Sequence, residues 1–253
     1  MSRVIDINCD LGESILPEDW AKDAELMPYI SSCNIACGGH AGNSESIQAA
    51  IHNATQHQLA IGAHPSYPDR ENFGRQSMKL SDTELRKTLR LQLNSIIEGC
   101  NHHGVTLHHV KPHGALYNDA ADDLHLAMII AQEVAHLSGS IKLMGLAESA
   151  MLEAAHKVGL DFINEGFMDR NYQPNKRLVP RSEPTALHAN LDDSLHQALQ
   201  FALGEPISIP NGQQLMITVD SICLHGDNPD ALAIAQALHQ RLAEHKITIY
   251  AGR

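Results

Sequence analysis

The sequence predicts an α/β fold in which about seven parallel strands, each leading into a helix, close into a (β/α) barrel. Three observations carry this reading. Short β-branched runs alternate with helical patterns along the chain, and right-handed helical crossovers between parallel strands are how such an alternation packs. About seven of these units occur, a number that favours a closed barrel over an open sheet. With 253 residues and 43% hydrophobic composition, the chain can bury one large core. No Pro/Gly/Ser linker or charge run divides it, so one domain over 1–253 is expected.

The elements follow in order. A β run at 4–8 opens the chain, followed by a helical scatter at 17–29 and a second β run at 32–37 that ends in Gly38 and Gly39. Ile47, Ala50, Ile51 and Ala54 then fall at i, i+3, i+4 and i+7, an amphipathic helix capped by Asn43 or Ser44. It leads into a third strand at 59–63. The polar stretch 65–79, broken by Pro65, Pro68 and Gly74, is a long connection of the kind that is usually functional or disordered. Ser81 and Glu84 form a capping box for a helix to about His103, and a fourth strand covers 106–110. Helix 124–137, strand 142–146, helix 148–158 and strand 162–164 continue the alternation. A basic, irregular stretch reaches Arg181, followed by a helix from 192 to 203 and a hairpin at 207–214 that turns on Pro210, Asn211 and Gly212. The last strong strand is expected at 215–224, then a helix at 230–243 and a short β run at 247–250.

Charge narrows the partners. Against 30 acidic residues stand 18 basic ones, a net charge of −12 with histidines neutral. Nucleic acid and anionic membrane both demand clustered positive charge, so a small-molecule substrate is expected. Five cysteines, Cys9, Cys33, Cys37, Cys100 and Cys223, show no paired framework and read as reduced thiols. Arg3, Asp6 and Asp10 interrupt the first apolar stretch, no run is long enough to span a bilayer, and the expected location is the cytoplasm.

The chemistry lies in motifs that follow the β runs, where an α/β fold gathers ligands at the carboxyl ends of its strands. Lys111 and His113 stand two residues apart, so both face one side of an extended strand end. Such a pair can bind an anionic or carbonyl oxygen while the imidazole moves a proton. His225 with Asp227 repeats the spacing, and His64 has Asp69 across a proline-bounded turn. Either carboxylate could orient its imidazole or share a metal with it. Asn8, Asp10 and Glu13 supply an acidic strand end suited to a base, a metal ligand or an amide acceptor. Gly38, Gly39, His40 and Gly42, just before a helix start, offer backbone N–H groups to an anion, and no P-loop motif is present. Plainer roles stay open for each: helix caps for Asp10 and Glu13, surface ion pairs for the arginines, solvated or structural rings for the remaining histidines.

The motifs D-I-N-C-D-L-G-E (6–13), N-I-A-C-G-G-H-A-G (34–42), G-A-H-P-S-Y-P-D-R (62–70) with F-G-R (73–75), V-K-P-H-G-A-L-Y-N (110–118), E-G-F-M-D-R (165–170), L-V-P-R (178–181) and I-C-L-H-G-D (222–227) occur in this order across the chain. Together they resemble the LamB/YcsF family. The resemblance implies an irregular barrel of the glycoside hydrolase/deacetylase type. It also implies ATP-dependent hydrolysis of 5-oxo-L-proline to L-glutamate, together with 5-oxoprolinase subunits B and C. On this footing Asp10, His64, Lys111, His113 and His225 are the expected catalytic residues. Asn8, Glu13, His40, Asp69, Arg75, Asp169, Arg170, Arg181 and Asp227 are the expected substrate or phosphate binders. ATP, with Mg²⁺, is the expected cofactor, and a divalent metal, if held, is expected on Asp10, His40 and His64. The chain departs from the family pattern where Asn43 and Ser44 replace Asp-Pro and where Gln76 replaces a second arginine after F-G-R.

The implied chemistry gives Asp10 or His64 the role of base, Lys111 and Arg170 the holding of phosphate or carboxylate, and His113 or His225 protonation of the departing nitrogen. Two other readings stay open: a metal-dependent deacetylase or amidohydrolase of small amides or sugars, and a non-catalytic subunit that binds substrate for its partners. A homo-oligomer is compatible with each.

Overall fold

Strands and helices alternate as β1 (Arg3–Leu11), α1 (Pro17–Leu26), β2 (Ser32–Ala36), α2 (Ser44–Gln56), β3 (Ala60–His64), α3 (Asp82–His102) and β4 (His109–Val110). They continue with α4 (Gly114–Asp122), α5 (Leu124–Ala135), β5 (Lys142–Leu146), α6 (Ala150–Val158), β6 (Phe162–Phe167) and α7 (Leu191–Leu203). The chain then forms β7 (Ile207–Ser208), β8 (Gln214–Leu215), β9 (Ser221–Leu224), α8 (Ala231–Glu244) and β10 (Ile247–Ile249). The structure, a computed structural model, describes residues 3–137, 139–226 and 228–252.

All pairings in the main sheet are parallel, in the order β1-β2-β3-β4-β5-β6-β9, and β9 pairs back onto β1. Seven strands therefore close a barrel, as the alternation predicts. β10 adds to the first residues of β1, and β7 with β8 forms a separate antiparallel hairpin. Ile7, Ile35, Leu143, Ile222 and Leu242 are fully buried between the sheet and its helices.

The capping residues act as read from the sequence. Asn43 accepts from the Ser46 N–H, with Ser46 answering, and Ser81 and Glu84 exchange hydrogen bonds at the start of α3. Other boundaries move. α4 follows the His113 strand end directly, where no helix was expected, and Asp123 closes it and caps α5. The expected strand at 215–224 is two pieces, β8 and β9, and only His109 and Val110 of 106–110 enter the barrel ladder. β6 runs past Asn164 to Phe167, and this extension carries Glu165 into the barrel.

The barrel interior is polar as well as apolar. Asn34, Gly62 and His109 are register partners across β2, β3 and β4. A side chain at Gly62 would collide with the His109 ring, whose Nε2 reaches 2.6 Å to Asn34 Oδ1. Glycine thus lets an imidazole cross a strand to its partner. Gly62→Ala is expected to destabilise the fold by about 1–3 kcal/mol through overpacking, measured by urea denaturation; an unchanged midpoint would show that His109 swings aside without loss.

Candidate active site

The strand ends converge on one mouth, as the motif positions require. A cleft of about 830 Å³ opens there, and Asp10, Glu13, His64, Arg75, Lys111, His113, Arg170, Arg181 and His225 all line it. Asn8 lies beneath it, fully buried. His40 lies behind His113, their rings stacked at 3.6 Å, and Asp169 lies behind His225. Asp227 is outside the described residues.

Lys111 is the hub. It is 2% exposed, and its Nζ donates to Asn8 Oδ1 at 3.1 Å and Asp10 Oδ1 at 3.0 Å. It also lies 2.7 Å from Glu165 Oε1 and 3.4 Å from Cys223 Sγ. Burial alone would discharge the amine, but Asp10, then Cys223 and Glu165, outweigh it and hold the ammonium well above the usual lysine range. Asp10 Oδ1 also accepts from Asn34 Nδ2 at 2.8 Å. Burial opposes ionisation of Asp10, yet His64 and Lys111 prevail and keep its carboxyl well below the usual range. The carboxylate is ionised at neutral pH, and its Oδ2 faces His64 Nε2 at 3.2 Å.

A histidine cluster completes this side. His113 Nδ1 stands 3.0 Å from His64 Nε2, and His40 Nε2 stands 3.2 Å from Glu13 Oε1. Burial first, then neighbouring His64, lowers His40 and His113 each to about 2. Both rings are therefore neutral throughout the physiological range. In the unfolded chain the same rings titrate near the ordinary histidine value of about 6.5, so between there and about 2 the unfolded state holds more protons. Their contribution to stability is full above that value and shrinks as pH falls, by up to about 1.4 kcal/mol per pH unit for each ring. Acid unfolding of wild type against a His40→Gln variant measures this. The variant is expected to lose stability less steeply below pH 6, and parallel slopes would contradict the burial argument.

Across the cleft, His225 Nδ1 meets Asp169 Oδ2 at 2.7 Å and its Nε2 meets Arg181 Nη2 at 3.2 Å. Asp169 therefore holds one tautomer, with Nδ1 carrying the proton. Burial would raise the Asp169 carboxyl, but His225 and then Arg170 bring it below the usual range.

Three local expectations change. Among the described residues, His225 meets the Asp169 carboxylate, and the carboxylate partner of His64 is Asp10 and not Asp69, because the parallel register of neighbouring strands sets Asp10 beside it. Asp69 instead holds the turn, accepting from Asn72 at 2.8 Å. The glycine loop before α2 is not an open anion cradle. Arg70 Nη1 donates to the Gly38 and Gly42 carbonyls, and Asn43 and Ser46 close the helix start. Arg170 directs Nε and Nη2 to the Ala186 and Val179 carbonyls, so those donors brace the 170–187 loop.

The connection 65–79 folds over the histidines. A side chain at Gly74, which sits at φ +64°, would run into His40 and His113, and Gly114, at φ +58°, has no room for a side chain because one would lie 2.5 Å from the Gly74 carbonyl oxygen. The Phe73 carbonyl meets His113 Nε2 at 2.9 Å.

Sequence reasoning missed Asn34, His109, Glu165, Tyr117 and Arg177. Glu165 is 0% exposed, and the nearby Tyr117 hydroxyl is pushed well above its usual range by burial and then by Glu165. An acidic residue inside the apolar run F-I-N-E-G-F was the available signal.

The chain is similar along its whole length to known proteins. A protein of Histophilus somni (strain 129Pt), described as a 5-oxoprolinase subunit, is 44% identical over 98% of both chains. A protein of Haemophilus influenzae (strain PittEE) with the same description is 42% identical over 98% of this chain and 100% of its own. The lactam utilization protein of Thermus thermophilus superposes with a TM-score of 0.92 at 33% identity, over 98% of this chain and 100% of that one. A T48 deacetylase shares the fold alone, at a TM-score of 0.50 and 12% identity over 98% of this chain and 87% of that one. The LamB/YcsF family model matches residues 5–252, and this chain belongs to the LamB/YcsF family.

Proposed function

We propose that this chain opens the lactam ring of 5-oxo-L-proline to give L-glutamate, as one component of an ATP-hydrolysing 5-oxoprolinase that includes subunits B and C. Relatives described as 5-oxoprolinase subunits, and a structural neighbour described as a lactam utilization protein, support the substrate class. The observation that carries the chemistry is an ionised Asp10 held 3.2 Å from the His64 imidazole at the floor of an arginine-bearing cleft.

An unstrained five-membered lactam resists hydrolysis, and ATP supplies the drive. The lactam oxygen takes the γ-phosphoryl group and ADP departs. Water adds to the activated carbon, with Asp10 and His64 accepting its proton. The carbon–nitrogen bond then breaks, the proton taken up by Asp10 and His64 passes to the nitrogen, and a second water releases phosphate from the acyl phosphate. Arg181 and Arg177 line the cleft and are placed to hold the substrate carboxylate or the phosphate. Lys111, with its donors already directed at Asn8, Asp10 and Glu165, positions Asp10 and is not a substrate contact.

The test assays glutamate and phosphate release from 5-oxoproline and ATP, with this chain alone and then with subunits B and C. Equimolar glutamate and phosphate that depend on this chain support the reading. Full activity of the partners without it would overturn it.

A further inference from the structure

We propose a divalent-metal site on His64 Nε2, His113 Nδ1 and Asp10 Oδ2, with a donor set that suits Zn²⁺. The inference rests on where the ring protons must be. A backbone carbonyl only accepts, so His64 Nδ1, 2.7 Å from the Lys111 oxygen, carries its proton. His113 Nε2, 2.9 Å from the Phe73 oxygen, carries its own. A neutral imidazole has one N–H. In the neutral form that binds a metal, the two remaining nitrogens therefore carry lone pairs and face each other across 3.0 Å.

Asp10 Oδ2 joins them at 3.2 Å from His64 Nε2, while Oδ1 is engaged by Asn34 and Lys111. The three donor atoms lie within 4.8 Å of one another, and lone pairs so close repel unless a cation stands between them. Tetrahedral zinc with bonds of about 2.0–2.1 Å sets its ligand atoms about 3.4 Å apart, close to the spacings here. Glu13 Oε1, 3.8 Å from His113 Nδ1, borders the remaining position. Metal-binding histidines almost always give their other N–H to a carbonyl or carboxylate, and both of these do.

His40 drops out of the ligand set expected from sequence. Its Nε2 is turned to Glu13 and its ring stacks on His113, so it supports the site from outside. When bound, the ion would occupy the lone pairs of Asp10 and His64 and, in place of their taking the proton directly, would supply Lewis acidity that makes a water easier to deprotonate. Ion binding is read without substrate, so this inference and the ring-opening reading fail separately.

The experiment titrates ZnCl₂ into the chelator-treated full chain by calorimetry, with bound metal counted by elemental analysis. One ion per chain is expected, weakened more than about 100-fold in His64→Ala and His113→Ala, and by about 10–100-fold in His40→Ala. Folding of each variant is checked by circular dichroism. If the variants unfold, a zinc-soaked crystal of the wild type decides: an anomalous peak between His64 and His113 supports the site. No binding at 100-fold molar excess, loss of binding in His40→Ala but not in His113→Ala, or a peak elsewhere would overturn it. In that case a proton bridges the two rings.

Discussion

Replacing Asp10 with asparagine in the assembled enzyme is expected to lower turnover of 5-oxoproline by about 10²–10⁴-fold, the usual contribution of a positioned base. The amide has the same shape, so Asn34 and Lys111 keep a partner near Oδ1, and the barrel mouth keeps its packing. What is lost is the ionised oxygen facing His64 Nε2. The loss should fall on kcat more than on KM, because in the proposed reaction Asp10 acts on the water while the arginines bind the substrate. Steady-state kinetics at saturating ATP provide the check. Turnover within about tenfold of wild type would take Asp10 out of the chemistry.

The second large effect is on stability. Lys111→Met removes the ammonium between Asp10 and Glu165 and leaves the buried Glu165 and the half-buried Asp10 carboxylates without their cation. Breaking a buried pair from one side costs about 3–5 kcal/mol, a large fraction of the stability of a typical domain. Lys111→Met combined with Glu165→Gln should recover part of it, because the second change removes one uncompensated charge. Urea denaturation of the two single variants and the double gives the coupling. Additive losses would mean that Lys111 and Glu165 do not sense each other, against the 2.7 Å contact.

The legible part of the fold has a common basis in local physics. Helix α2 was readable because Ile47, Ala50, Ile51 and Ala54 share one face and Asn43 closes its start. Helix α3 was readable from Ser81 and Glu84. Helix α4 was not, because its first residues, His113 and Gly114, belong equally to a strand end, and no capping side chain marks its start. Strand β6 looked shorter than it is because Glu165 interrupts its apolar run. The charge is tolerated only because Lys111, far away in sequence, comes to meet it.

The sequence by itself determined the alternation of strands and helices, the family, and the presence of His64, Lys111, His113 and His225 at strand ends, since periodicity, caps and motif spacing are properties of neighbours along the chain. Only the tertiary structure decided which groups pair. The closure of β9 onto β1 and the register of each strand set Asp10 against His64, Glu165 against Lys111 and Asp169 against His225. Such contacts depend on the distance between strands in space, to which spacing in sequence is blind.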